Sequence, residues 1–228
     1  MRLPSPLNVG VWDLQRLLRR RVRPGGRVLE IGCAPGKLLA WVAHAFHAKV
    51  TGIDYSDVGL SHARKLFRAL AISGDLRQEN VFDSTLADST FDLIYSIGVI
   101  EHFDDPRDIV KCHIRFAVPG GRVLIVLPNY GGLYRRLQYH FDPENLLIHN
   151  LNIMNTDALR ALVPAGMCKD IRAYHFGRMS PWIVSFHRRW PRSLAIIASL
   201  IANGLGLVQP IEIAALSPFL VLEATRNS

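Results

Sequence analysis

The sequence predicts an α/β domain built on a doubly wound, mostly parallel sheet, and three observations predict it. From Arg27 onward, short runs rich in Val, Ile and Leu alternate with segments whose apolar residues recur at helical spacing, the pattern of βαβ units covered on both faces. A chain of 228 residues buries one good core and divides poorly into two. Its composition, 49% apolar and 20% charged, excludes a disordered or fibrous chain.

In chain order, residues 1–26 form an N-terminal basic helix region with an arginine cluster running from Arg16 to Arg27. Strands are expected at Arg27–Ile31, Lys49–Ile53, Asp75–Glu79, Phe91–Ser96 and Arg122–Leu127, short apolar runs suited to the interior of a sheet. Between them, Ala63, Leu66, Phe67 and Leu70 share one helix face, and Val110, His113, Ile114 and Ala117 share another. Ser56 or Asp57 caps the first of these helices. Asp104 or Asp105 caps the second, with Pro106 in its first turn and Pro119-Gly120-Gly121 at its end. Residues 128–154 are too long for an ordinary connection and read as a binding insertion or lid. A helix at Thr156–Val163 behind an Asn155/Thr156 cap, a strand at Met167–Phe176, an apolar helical region over 178–216 and a last strand at Ser217–Ala224 complete a single domain, 1–228.

The net charge of +8 comes from 27 Lys and Arg against 19 Asp and Glu. Such a field draws phosphates, anionic lipid or acidic substrates without choosing among them, and a solvated basic face is its plainest account. Cys33, Cys112 and Cys168 form no CxxC pair and read as small buried residues of a reducing compartment. The N-terminus lacks the apolar stretch of a secretory signal, so a cytoplasmic location is expected. Leu194–Val208 falls short of a spanning helix. With the basic, aromatic edge Ser185–Arg192 before it, it fits peripheral contact with an anionic bilayer, a buried helix or the wall of an apolar substrate pocket.

The chemistry is concentrated between Val28 and Phe103. Val28-Leu29-Glu30-Ile31-Gly32-Cys33-Ala34-Pro35-Gly36 is a strand followed by a glycine turn at a helix start. The dinucleotide pattern GxGxxG fails at Ala34 and Lys37, and the P-loop fails because Gly32 and Gly36 are one residue too close. A carboxylate at Glu30 beside the turn disfavours a pyrophosphate and favours a ligand with an ammonium and a sulfonium, as in S-adenosylmethionine. Further on stand Gly52-Ile53-Asp54-Tyr55-Ser56, then Glu79-Asn80-Val81-Phe82-Asp83, then the run from Phe91 to Phe103 that contains Ser96-Ile97-Gly98 and Glu101-His102.

Taken in order, these four motifs resemble the class I S-adenosylmethionine-dependent methyltransferases, in the small-molecule branch that includes quinone-biosynthesis and natural-product enzymes. VLEIGCAPG departs from the usual E/DxGxGxG at Ala34. The resemblance implies a Rossmann-like, seven-stranded sheet with an antiparallel last strand, helices on both faces and an insertion after the fifth strand. It also implies S-adenosylmethionine as cofactor. Around it, Glu30, Gly32, Cys33, Ala34 and Gly36 form the first turn, Asp54 meets the ribose hydroxyls and Tyr55 the adenine. Val81 and Phe82 wall the base, Asp83 reaches its amino group, and Ser96, Ile97 and Gly98 lie over the methionine part.

The expected reaction is methyl transfer to a small molecule at oxygen, on a phenol, quinol or sugar hydroxyl, with a lipid-linked or apolar acceptor if the C-terminal segment meets a membrane. His102 is the first candidate for general base, Glu101 orients it or takes the proton, and His149 and His140 of the insertion are alternatives. Tyr130, Tyr134, Tyr139, Arg135 and Arg136 either recognise the acceptor or pack the insertion to the sheet. No residues have metal-ligand spacing, and no metal is expected. A nucleic-acid methyltransferase is the alternative favoured by charge. It is opposed by SIGV standing where an amine-activating (N/D)PP(Y/F) motif belongs, so nucleic acid is not the expected partner. A non-catalytic cofactor-binding protein is the third reading. Nothing in the sequence signals an oligomeric state.

Overall fold

The computed structural model describes residues 8–228; the first part of the predicted N-terminal region, residues 1–7, lies outside the described residues. The elements run α1 (Val9–Arg19), β1 (Arg27–Ile31), α2 (Lys37–Phe46), β2 (Lys49–Asp54), α3 (Asp57–Ala69), β3 (Asp75–Gln78), β4 (Phe91–Ile97), α4 (Arg107–Phe116) and β5 (Ala117–Pro128). They continue with α5 (Leu133–Phe141), α6 (Pro143–Leu147), α7 (Thr156–Arg160), β6 (Cys168–Phe176), α8 (Arg192–Val208) and β7 (Phe219–Arg226). One seven-stranded sheet has the order β3-β2-β1-β4-β5-β7-β6. β7 is antiparallel to both of its neighbours, and the other pairings are parallel. The predicted fold class is therefore the observed one.

Two cores cover the sheet. On one face Leu29, Ile31 and Ile94 pack with α4 and the insertion. On the other, Val28, Leu93 and Tyr95 pack beneath α1, α2 and α3. Chain order reverses between β1 and β4, whose ends are level because Ile31 pairs with Ser96, and such a switch point opens a crevice at the carboxyl ends of the strands.

Local chemistry explains most boundaries. Ser56 caps α3, its hydroxyl accepting from the Gly59 amide at 3.0 Å, and Asn155 caps α7. Pro106 occupies the cap position of α4, one step before its expected place. The reason is that Asp105 Oδ1 already accepts from the Arg107 amide at 3.0 Å. Pro119-Gly120-Gly121 belongs to β5, which begins at Ala117 and absorbs the irregularity in a register shift between Phe91 and Leu93. The insertion is largely helical, and α7 stops at Arg160, short of the predicted Val163. All three cysteines are buried and free. Half of the arginine cluster is ion-paired within the fold: Arg16 with Asp13 and Glu212, Arg21 with Glu223 and Arg27 with Asp92.

Candidate active site

The crevice beyond β1 and β2 is a cleft of about 380 Å³ whose wall includes Gly32, Asp54, Tyr55, Glu79, Val81, Phe82, Val99 and Phe103. Gly32 has φ +73°, and a Cβ there would lie 2.4 Å from the Val99 side chain, so both backbone conformation and space call for glycine. Asp54 accepts from the Ala34 amide at 2.9 Å and the Ser56 amide at 2.8 Å, which ties the glycine turn to the start of α3. Each of its oxygens keeps further acceptor capacity for a ligand hydroxyl. Glu79 is held by the Ser84 hydroxyl and by the amide and hydroxyl of Thr85, which keep its carboxyl below the usual range against the opposing effect of burial. Two carboxylates and no Lys, Arg or His stand in this wall, so the cleft suits a cationic ligand better than a phosphate.

Glu30, on which the sequence argument placed that preference, lies elsewhere. Pairing of Glu30 with Tyr95 puts both side chains on the α2 face of the sheet, where the Tyr95 hydroxyl donates to Glu30 Oε2 at 2.9 Å. Burial pushes the Glu30 carboxyl up to about 8, with hydrogen bonds from Tyr95 and the Leu39 amide opposing the shift. Glu30 therefore sits under the first turn of α2 and braces the glycine loop from behind. Asp54 and Glu79 take over its electrostatic role.

A second cleft, about 740 Å³, adjoins the first, with Phe103 in the wall of both. Glu101, His102, Leu146, Ile148, His149 and Asn150 line it. Glu101 is buried, 1% exposed, and neither carboxylate oxygen has a hydrogen-bond partner; burial raises its carboxyl to about 7. The insertion is fastened over it: the Asn150 amide donates to the Glu101 carbonyl at 2.6 Å, and the Asn150 side chain donates to the carbonyls of Phe103 and Asp104.

His102 and His149 face one another with ring centroids 4.8 Å apart. His102 Nδ1 lies 3.0 Å from the Ile148 carbonyl, and His149 Nδ1 is bonded to the Asn145 carbonyl. A carbonyl only accepts, so each Nδ1 carries the proton and each Nε2 is left with a free lone pair. Burial lowers the pKa of His149, as does the neighbouring His102, and the edge of Tyr130 packs on its ring. A Glu101 oxygen and one nitrogen from each histidine lie within 4.8 Å of one another, a cation-ligating set that spacing along the chain does not reveal. A tetrahedral ion with ligands at about 2.1 Å would draw such atoms to about 3.4 Å, so the group as it stands is more open than a metal site.

The structure thus brings Gly32, Asp54, Tyr55, Val81 and Phe82 into the first cleft and Glu101, His102 and His149 into the second. The Cys33 side chain packs in the core under Gly52. Ala34 contributes its amide to Asp54, and Gly36 caps α2. Asp83 is exposed and accepts from Asn80 at 3.3 Å. Ser96 is fully buried beside His113 Nε2 at 2.8 Å, while Ile97 ends β4 and Gly98 begins the turn toward Glu101. His140 is exposed on α5 with its ring against Phe141, outside either cleft lining. Tyr134 is structural, accepting from the Ser180 amide and donating to the Leu216 carbonyl. Glu79, Val99 and Phe103 are wall residues that the sequence reading did not select as site residues; their place within two of the motifs was the available signal.

Comparison with known proteins gives the family and the fold. Residues 13–165 match the profile of a family described as a methyltransferase domain. An O-methyltransferase of Pyrenophora dematioidea is 34% identical over 114 residues, 49% of this chain and 43% of that one. The chloroplastic tocopherol O-methyltransferase of Arabidopsis thaliana is 34% identical over 102 residues, 44% of this chain and 29% of that enzyme. The chain spans less than half the length of these two relatives. Haemonchus contortus phosphoethanolamine N-methyltransferase 2, solved with phosphomonomethylethanolamine and S-adenosylhomocysteine, has the same fold, with a TM-score of 0.69 at 18% identity over 97% of this chain and 54% of that chain.

Proposed function

Because the chain belongs to the methyltransferase-domain family of class I S-adenosylmethionine-dependent enzymes, we propose that it methylates a hydroxyl of a small molecule seated against Glu101, His102 and His149. The observation that carries this reading is the junction of two unlike clefts: a cation-favouring one at the switch point, and one holding two imidazoles with free Nε2 positions.

The residues present fit the cofactor. Asp54 is placed to accept from the ribose hydroxyls, Val81 and Phe82 to wall the base, and the backbone at Gly32 to pass close to the amino-acid part. Bound S-adenosylmethionine supplies a methyl group already activated by its sulfonium. What remains for the chain is to hold the acceptor oxygen in line, worth about 7–11 kcal/mol, and to take its proton. His149 would do the second: its lowered pKa keeps it neutral at pH 7, its Nδ1–H is fixed on the Asn145 carbonyl, and its Nε2 is the atom that would take the proton of the acceptor hydroxyl. His102 and Tyr130 position the ring. Leu146, Ile148 and Leu151 beside the polar groups favour an acceptor with an apolar portion, a phenol, quinol or lipid-linked sugar.

Calorimetric titration tests the cofactor half. S-adenosylmethionine binds the wild type, and Asp54→Ala weakens it about 10–100-fold, the loss of one or two hydrogen bonds to a charged group. Absence of binding to the wild type refutes the reading.

A further inference from the structure

We propose that α8 and the basic segment before it form a docking surface for an anionic lipid bilayer. A helix on a globular protein normally turns its large apolar residues inward. α8 does the reverse. Ala195, Ser199, Asn203 and Gly206 face the body of the protein, where the Asn203 side chain accepts from the Val9 amide at 3.4 Å. Gly206 meets the chain so closely that a Cβ would lie 2.0 Å from the Met179 carbonyl oxygen. Leu194, Ile196, Ile197, Leu200, Ile201 and Leu205 are each at least 50% exposed. At about 100° per residue, these side chains span roughly half of the helix circumference.

That breadth separates the possible occupants. A single partner helix covers a narrow stripe, whereas an arc of half a turn matches immersion in a continuous apolar phase. Charge points the same way. No Asp or Glu occurs between Ile171 and Ile211, and His187, Arg188, Arg189 and Arg192 stand exposed at the N-terminal end of α8 beside Trp190. Cations and an indole at the rim of an apolar face are the groups that settle among acidic headgroups. At 17 residues α8 is about 25 Å long against a hydrocarbon core of about 30 Å. No helix among the described residues is long and apolar enough to cross a membrane, so α8 lies along the surface.

The same segment reaches the acceptor side. Phe186 and Trp190 stack on one another and both meet Phe141, at the end of α5, edge-on, and Arg188 pairs with Asp142, which caps α6 just ahead of His149. A docked protein therefore holds the insertion close to the lipid surface.

Co-sedimentation with vesicles tests the surface without any acceptor. The full chain pellets with phosphatidylcholine vesicles containing phosphatidylglycerol and only weakly with phosphatidylcholine alone. The triple substitution Ile197→Ser, Leu200→Ser, Ile201→Ser lowers partitioning at least about tenfold. Arg189→Gln with Arg192→Gln lowers it several-fold and removes most of its salt sensitivity. The substituted side chains are exposed, so thermal unfolding is unchanged and a folded variant is being measured. Failure of the wild type to pellet with either vesicle, or equal pelleting of the triple variant, overturns the proposal. So does a wild-type dimer that the triple variant converts to monomer, because a second copy then covers the face.

Discussion

Each cleft is backed by a buried glutamate, and the two differ in what surrounds the carboxyl. Glu30, behind the cofactor cleft, is held near neutrality by burial but accepts from Tyr95 and the Leu39 amide. Glu101, in the acceptor cleft, is also held near neutrality by burial, and its oxygens have no partner. A satisfied buried carboxyl braces structure, whereas an unsatisfied one beside two imidazoles costs stability that only a ligand recovers. On the proposed reading, the cofactor side is thus built for rigidity and the acceptor side for chemistry.

The largest expected effect separates the two sides. His149→Ala lowers the methyl-transfer rate about 10²–10⁴-fold, the usual contribution of a general base, and leaves the cofactor dissociation constant within about twofold by calorimetry. A parallel loss of cofactor affinity would mean that the clefts are not separable. The pH profile has a definite sign: because the pKa of His149 is lowered, the rate rises with pH below neutrality and is level above it.

Next in size is the pH dependence of stability. The folded protein holds the Glu101 proton up to about pH 7, whereas an unfolded glutamate releases it near 4.5. The contribution is therefore complete below pH 4.5 and is lost as pH rises to about 7, a loss of about 3 kcal/mol at 1.36 kcal/mol per pH unit. Urea unfolding of Glu101→Gln at several pH values should show a shallower fall over that window than the wild type, the remainder coming from Glu30, whose carboxyl is also raised, to about 8. His113 contributes the opposite slope: burial lowers its pKa to about 4, so stability falls as pH drops from 6.5 toward 4 in wild type and variant alike. Smaller again, Glu30→Ala destabilises by about 2 kcal/mol, because the Tyr95 hydroxyl and Leu39 amide lose their partner. At the bottom of the scale a chelator leaves turnover unchanged; its abolition would convert Glu101, His102 and His149 into a metal site.

The same contrast explains what could be read from the sequence. The cofactor side is assembled from consecutive strand ends, so Gly32, Asp54 and Val81 converge once the strands are recognised. Which face Glu30 takes depends on the pleat and on its neighbour Tyr95, and the motif alone does not carry that information. The acceptor side joins residues far apart in the chain. His149 meets His102 because Asn150 anchors the insertion, and no periodicity encodes that contact, so His140 looked equally eligible. In α8 the apolar pattern was visible, but its orientation follows from Gly206 and Asn203 fitting against the body, which only packing reveals.

The most direct test of base-assisted methylation at oxygen is isotope transfer from S-adenosylmethionine carrying a ¹³C methyl group. It is incubated with a small-molecule extract and either wild-type protein or His149→Ala, and the labelled product is read by NMR. The expected result is a labelled O–CH₃ on a small molecule with the wild type and little or none with the variant. Label on nitrogen, carbon or a macromolecule, or equal labelling by both proteins, would contradict it.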